Sequence, residues 1–547
     1  MNLGSTASQI HDAIYYSHST FYIHRGKIAN PMYDWKIAVP HVFSSMRNGR
    51  IHSHVLRFSR IAEVSVIMLL VMVPAFAQAS PIHTVAAAKP QPPSSTSATW
   101  AKAYSIPYSY SVAESVAQTS SGGYVVGASC TAAAETTPNC NTLSEPTAMV
   151  MRVDSSGNIQ SQTQYNYLKY PYSTPLNLIR STSDGGAIFA GNAQFGCPGT
   201  GQTSCGLIVK VDLSGNVQWS NDLQFSTSSS YGPLTWPLDL HQTTDGGYVV
   251  AGYAFAPAAS YNPFVVKLSS AGQIQWQHVF VDPNSQYGAA YAVEQTPDGG
   301  YVVLGESTYY VSASYTASEI LVFKLDPTGT LAWQHDYSIG TDSYAETLAL
   351  TSDGGFILGG LVSISSANSY SSSVLLLKLD SAGGPQFAKT YAPSGSISDL
   401  AITGVQQTSD GGYAFSGYYF QNTVYDERAW LVKTDSTGKV QWDRTYGADV
   451  QYSSRKFYSF QQTSDGGFIA AGSTNQFNGG DNSLWLVKTD SNGNIAGYND
   501  FQTQSDVSGS VSVTVSISDL KATPDSFTYV ADTLSSVPGP LKTSKEC

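Results

Sequence analysis

Arg180, His241 and Glu294 each stand five residues before the first glycine of a Gly-Gly doublet, at Gly185, Gly246 and Gly299. A guanidinium, an imidazole and a carboxylate at one recurring position offer a counter-charge, a proton carrier and an acid or base, the set a hydrolase or lyase needs. The same position elsewhere holds Ala117, Ala349, Gln406 and Gln461, which suits a hydrogen-bonded polar lining equally well. Aromatic side chains offer a different chemistry. Tyr231, Trp236, Tyr261, Tyr309 and Tyr310 fall in Tyr- and Ser-rich segments, and flat rings with polar tips serve for stacking on sugars or docking on proteins. Aspartates recur at Asp184, Asp245, Asp298, Asp353, Asp410 and Asp465 and again at Asp154, Asp212, Asp326, Asp380, Asp435 and Asp490. Calcium asks for six to eight oxygens and each of these turns offers one carboxylate, so they read as turn caps and no metal or cofactor is expected. No P-loop, Gly-x-Ser-x-Gly elbow, His-Glu-x-x-His or dinucleotide fingerprint occurs.

These residues are carried by a repeat. Thr-x-Asp-Gly-Gly followed by an apolar run alternates with an apolar run ending in Lys-x-Asp-x-x-Gly, as in Thr408–Gly412 and in Lys433, Asp435, Gly438 and Trp442. The doublets begin at Gly122, Gly185, Gly246, Gly299, Gly354, Gly411 and Gly466, spaced by 63, 61, 53, 55, 57 and 55 residues. Short apolar runs between Asp-Gly turns read as strands and tight hairpins. A period of this size built from strands predicts an all-β, seven-bladed β-propeller of four-stranded antiparallel blades over 100–503. Trp100–Tyr104 resembles the fourth strands Trp333–Tyr337 and Trp442–Tyr446 yet precedes the first doublet, which predicts that it closes the ring in the last blade.

The paired signature resembles exported bacterial and archaeal β-propeller repeat proteins with Gln-Thr-x-Asp-Gly-Gly and Leu-Val-Lys-x-Asp-x-x-Gly-Asn elements. That resemblance implies an exported or cell-surface propeller without implying an activity. The Asp-x-x-Gly-x-x-x-Trp runs (Asp212, Gly215 and Trp219; Asp326, Gly329 and Trp333) are also distantly similar to the docking motif of quinoprotein-type propellers, one residue shorter between Asp and Gly. The adjacent cysteines of quinoprotein dehydrogenases have no counterpart here.

Composition bounds the rest. Net charge is −12, and residues 1–79 hold seven of the 27 basic but only three of the 39 acidic residues, leaving an acidic body poorly suited to nucleic acid. Arg57 and Arg60 precede an apolar stretch from Val64 to Phe76 and then Ala77-Gln78-Ala79, the layout of a secretory signal cleaved after Ala79. Residues 1–45 have no apolar core and read as a mis-assigned or extended leader, with the signal peptide at 46–79, a Pro/Ser/Ala-rich linker at 80–99 and a Ser/Thr-rich tail at 504–547. In an exported chain Cys130 and Cys140 share one loop and Cys197 and Cys205 the equivalent loop of the next repeat, so local disulfides are expected, with Cys547 left over. The functional expectation is an exported, monomeric, non-enzymatic propeller with no membrane anchor in the mature chain. It would bind an extracellular or envelope protein or a glycan through its Tyr-rich loop face. The alternative is a hydrolase or lyase using Arg180, His241 and Glu294 at the mouth of the central channel.

Overall fold

The computed structural model describes residues 99–105, 109–132, 147–166, 172–173, 178–194, 205–223, 234–256, 260–281, 287–312, 315–340, 342–366, 369–393, 395–447, 451–476 and 482–496, with short strands at 83–86, 502–503, 511–512, 516–518 and 542–545. All of these belong to the second of two units, Gln78–Cys547, the first being Met1–Ala77. Every regular element among the described residues is a strand.

The repeats fold as four-stranded antiparallel meanders. One unit runs through Ile397–Gln407, Tyr413–Gln421, Asp426–Thr434 and Val440–Tyr446, each strand paired with the next. Its first turn explains the Gly-Gly doublet. Gly411 adopts φ +82°, a conformation only glycine takes freely, while a Cβ on Gly412 would lie 2.2 Å from the Thr434 carbonyl oxygen. Asp410 caps this turn, its Oδ1 accepting from Thr408 Oγ1 at 2.6 Å and from the Gly412 amide at 3.1 Å. Its Oδ2 then takes Lys433 Nζ at 2.9 Å, and that lysine is buried. Lys210, Lys267, Lys324, Lys378 and Lys488 meet Asp184, Asp245, Asp298, Asp353 and Asp465 in the same way. The two halves of the repeated signature are thus the two partners of one ion pair.

Neighbouring sheets bury apolar faces against each other. Ile357 and Leu376 of one sheet pack with Phe415 and Val432 of the next, each wholly buried and worth about 1.5–3 kcal/mol. Two polar bonds recur across these seams. Where a glutamine precedes the turn threonine it accepts from the amide of the previous turn, as Gln242 Oε1 does from Ser183 and Gln407 Oε1 from Ser352, both at 2.7 Å. A fourth-strand tyrosine donates to the second turn of the next sheet: Tyr165 to Gly215 at 3.0 Å, Tyr337 to Gly383 and Tyr391 to Gly438 at 2.6 Å. The N-terminal strand Trp100–Ser105 pairs antiparallel with Ser483–Thr489, in the place a fourth strand occupies elsewhere. Outer edges carry further short strands, among them 83–86 on Trp100–Ser105, 516–518 on Leu331–Ser338 and 542–545 on Ile159–Asn166. Part of the Ser/Thr-rich tail therefore pairs with sheet edges that would otherwise be open.

Candidate functional site

The first strands of successive repeats lie side by side, Leu178–Ser181 against Thr235–Gln242 and Thr235–Gln242 against Tyr287–Gln295. Arg180, His241 and Glu294 sit near the end of these strands, just before the Asp-Gly-Gly turns, and the structure brings them together. A fourth group, Asp239, joins them. Its Oδ1 accepts from Arg180 Nη2 at 2.9 Å, and its Oδ2 lies 3.3 Å from His241 Nε2 and accepts from the Val293 amide at 3.0 Å. His241 Nδ1 is 3.7 Å from Glu294 Oε1. The result is one chain of charges running from Arg180 through Asp239 and His241 to Glu294, in which the Asp239 side chain is 8% exposed and those of His241 and Glu294 are each 26% exposed.

Electrostatics sort the roles. Burial alone would raise the Asp239 carboxyl, but His241, Arg180 and the Val293 amide hold it well below the usual carboxylate range. Burial works against a charged imidazole, yet Glu294 and then Asp239 outweigh it and raise His241 above its ordinary value. Glu294 is raised by burial and by the Asp239 charge, with His241 opposing. A fixed anion thus orients an imidazole whose other nitrogen faces a second, weaker acid. Such a pair can give or take a proton, and Arg180, about a third exposed, can face negative charge.

Sequence reasoning missed Asp239. Its signal was available: it stands seven residues before its glycine doublet, where the other repeats carry Ser115, Leu178, Ala292, Thr347, Gly404 and Ser459, none of them charged. The other two histidines of the repeats lie elsewhere, His278 stacked on Trp276 at 5.5 Å and His335 on Trp333 at 5.1 Å. Among the expected aromatic ligands, Trp236 stacks on Tyr253 at 6.0 Å and Tyr261 meets the same ring edge-on at 5.4 Å, so both are engaged in packing. Tyr309 and Tyr310 lie on strand Tyr301–Ser312, with only their backbone described, and Tyr231 lies outside the described residues. Cys130 and Cys205 are buried and disulfide-bonded, while Cys140 and Cys197 lie outside the described residues.

No family model matches the chain, and no curated protein matches it. Among solved structures it is similar to a protein of unknown function from Dyadobacter fermentans, at 8% identity and a TM-score of 0.39 over 70% of this chain and 95% of that one. It is also similar to the polysaccharide lyase Uly1, at 10% identity and 0.41 over 69% and 90%. A third is the GH43 endo-arabinanase of Bacillus licheniformis, at 12% identity and 0.25 over 50% and 96%. These named neighbours include a polysaccharide lyase and an endo-arabinanase, which runs against the expectation of a non-enzymatic binding propeller. At such identities no residue role transfers, so the chemistry rests on this chain's own side chains.

Proposed function

We propose that this chain is an exported hydrolase or lyase whose acid–base machinery is the cluster of Arg180, Asp239, His241 and Glu294. The observation that carries this reading is a buried, ionised Asp239 that grips one nitrogen of a partly exposed imidazole whose other nitrogen faces a carboxyl. In this reading Asp239 is a positioning residue. Its contact with Nε2 aims the Nδ1 nitrogen at Glu294. Together that nitrogen and the Glu294 carboxyl either accept a proton from water or from carbon, or return it to a leaving oxygen. Arg180 stabilises the negative charge that develops on the substrate.

Supporting a closed, sevenfold propeller as the scaffold, the seam bonds of the interior recur where the last repeat meets the first. Tyr104 donates to Gly157 at 2.7 Å, Trp100 Nε1 to Ser155 at 2.9 Å, and the Ser464 amide to Gln118 Oε1 at 2.8 Å. Export is supported by the basic and apolar segment ending at Ala79, and the disulfide-bonded Cys130 and Cys205 fit an oxidising compartment.

The test is turnover on polysaccharides with and without uronic acids, since Arg180 offers a counter-charge to a carboxylate. Hydrolysis yields new reducing ends only, whereas elimination adds an unsaturated product that absorbs in the ultraviolet. His241→Ala is expected to lower kcat by about 10²–10⁴-fold in a chain that still melts cooperatively, if at a lower temperature. Equal turnover by wild type and H241A rejects the assignment.

A further inference from the structure

Many of the first strands carry one residue more than their partner strand. The register breaks between Ala113 and Ser115, Pro237 and Asp239, Ala290 and Ala292, Ala345 and Thr347, Ile402 and Gly404, and Phe457 and Ser459. The extra residues are Glu114, Leu238, Tyr291, Glu346, Thr403 and Tyr458, three positions before the layer of His241 and Glu294. A bulge takes its extra side chain out of the strand's alternation. These residues form a second, mostly polar layer on the same strands, away from the Asp-Gly-Gly turns.

Three of them are satisfied by one position of the second strand, seven residues after the first glycine of the doublet. Ser129 Oγ donates to Glu114 at 3.0 Å, Tyr291 OH donates to Glu306 at 2.8 Å, and Tyr458 is bonded to Ser473. In the repeat of Glu346 that position is Leu361. Glu346 has no hydrogen-bond or ion-pair partner among the described residues. Its neighbour Glu306 accepts from hydroxyls alone, Ser318 Oγ at 2.6 Å and Thr308 Oγ1 at 3.0 Å besides Tyr291.

Elsewhere in this layer the chain supplies its own cation. Lys456 Nζ lies 4.5 Å from the centre of the Tyr418 ring and 2.8 Å from Glu427 Oε1. A tyrosine face and a carboxylate together are a favourable seat for an ammonium group. Tyr291, Glu306 and Glu346 supply the same kinds of group, a tyrosine beside carboxyls, and no lysine, arginine or histidine among the described residues pairs with either carboxyl.

We propose that Glu346, Glu306 and the Tyr291 ring bind an organic ammonium ion, a small amine that takes the place Lys456 fills across the layer. The site shares strand Tyr287–Gln295 with Glu294 of the acid–base cluster but does not depend on that cluster's role. Burial and then the Glu306 charge push the Glu346 carboxyl up to about 8, so near neutrality it is protonated and an arriving cation expels its proton. The groups that bear on it are Glu306 and Tyr291 from one side and Tyr418 from the other, and Asp342 on its own strand is raised by burial and by Glu306.

Calorimetric titration of the full chain with n-butylammonium chloride, and separately with tetramethylammonium chloride, in two buffers of different ionisation enthalpy reads both affinity and proton release. Binding is expected with release of close to one proton at neutrality, and about tenfold tighter per pH unit as pH rises toward 8. Glu346→Gln should keep the melt, release no proton and bind at least about tenfold more weakly, whereas Glu346→Asp should retain the release at lower affinity. Sodium chloride at matched ionic strength should release none. Failure of both amines to bind, binding without proton release, or equal binding by E346Q overturns the proposal.

Discussion

At the scale of single residues, Asp239 decides how the acid–base cluster behaves, because three partners converge on one buried carboxylate. Its pKa is depressed in the fold, so its contribution to stability is present above the unfolded value near 4 and is lost as pH falls. His241 runs the other way. Its folded value is raised, so its charge contributes fully below about 6.5 and the contribution is lost as pH rises through the folded value. Asp239→Asn keeps the shape but removes the anion that both Arg180 and the imidazolium face. The expected cost is about 2–4 kcal/mol near pH 6, shrinking as pH rises through the raised folded value of His241, beyond which the imidazole is neutral and only Arg180 is left unpaired. Denaturant melts of wild type and D239N across a pH series from 6 upward check this; a penalty that grows with pH contradicts the assigned network. Arg180, His241 and Glu294 could be found from the sequence because they share one offset from a glycine doublet. Asp239 and Glu346 sit at other offsets, and the role of Glu346 emerges only once a bulge and an apolar Leu361 are seen to deny it a partner.

At the scale of the element, the strand order was legible because Asp-Gly-Gly and Lys-x-Asp punctuate most repeats, and glycine's positive φ ties each doublet to one turn. What could not be read was that the aspartate of the first signature and the lysine of the second, about 25 residues apart, meet as an ion pair across the sheet. Strand alternation puts that lysine inside, where an unpaired ammonium is costly. In the repeat of Asp410, the buried Lys433 keeps only the Thr434 carbonyl and Gln441 Oε1 once the carboxylate is gone. Asp410→Ala is therefore expected to destabilise by about 2–4 kcal/mol, and Lys433→Met by less, because the methionine takes the buried charge away with the partner. Chemical denaturation ranks the two; K433M costing more than D410A would show that the pair stabilises through the lysine's packing alone. Collectively these turns also set the acid limit. Asp184, Asp245, Asp298, Asp353 and Asp410 are each held near 2 despite partial burial, chiefly by lysine and threonine, so their contribution fades as pH drops from about 4 toward 2. The loops between second and third strands stayed opaque, since their lengths and compositions follow no period.

At the scale of the whole molecule, the proposed ring turns on a strand that comes from the wrong end of the chain. Trp100–Tyr104 pairs residue for residue with Leu484–Lys488, Ala103 and Tyr104 are fully buried, and Tyr104 makes the same bond to Gly157 that Tyr391 makes to Gly438. Without it, the Ser483–Thr489 strand would expose a row of unpaired backbone groups, and the apolar faces of Leu484, Leu486, Tyr124 and Val126 would lose a shared neighbour. Loss of such a strand acts on both flanking sheets at once, which distinguishes a closed ring from an open stack of repeats, where terminal units fray independently. Deleting residues 98–106 should therefore lower the melting temperature of the entire cooperative transition by more than about 10 °C, or leave the chain insoluble, and a synthetic peptide of the same residues should restore part of the loss. Removing 504–547, whose described strands pair with outer edges over only two to four residues, should shift the melt by a few degrees at most. An unchanged melt after deletion of 98–106, or a transition that splits in two with only one part shifted, is what an open array would give, and it would remove the scaffold that holds Arg180, Asp239, His241 and Glu294 at one end of adjacent strands.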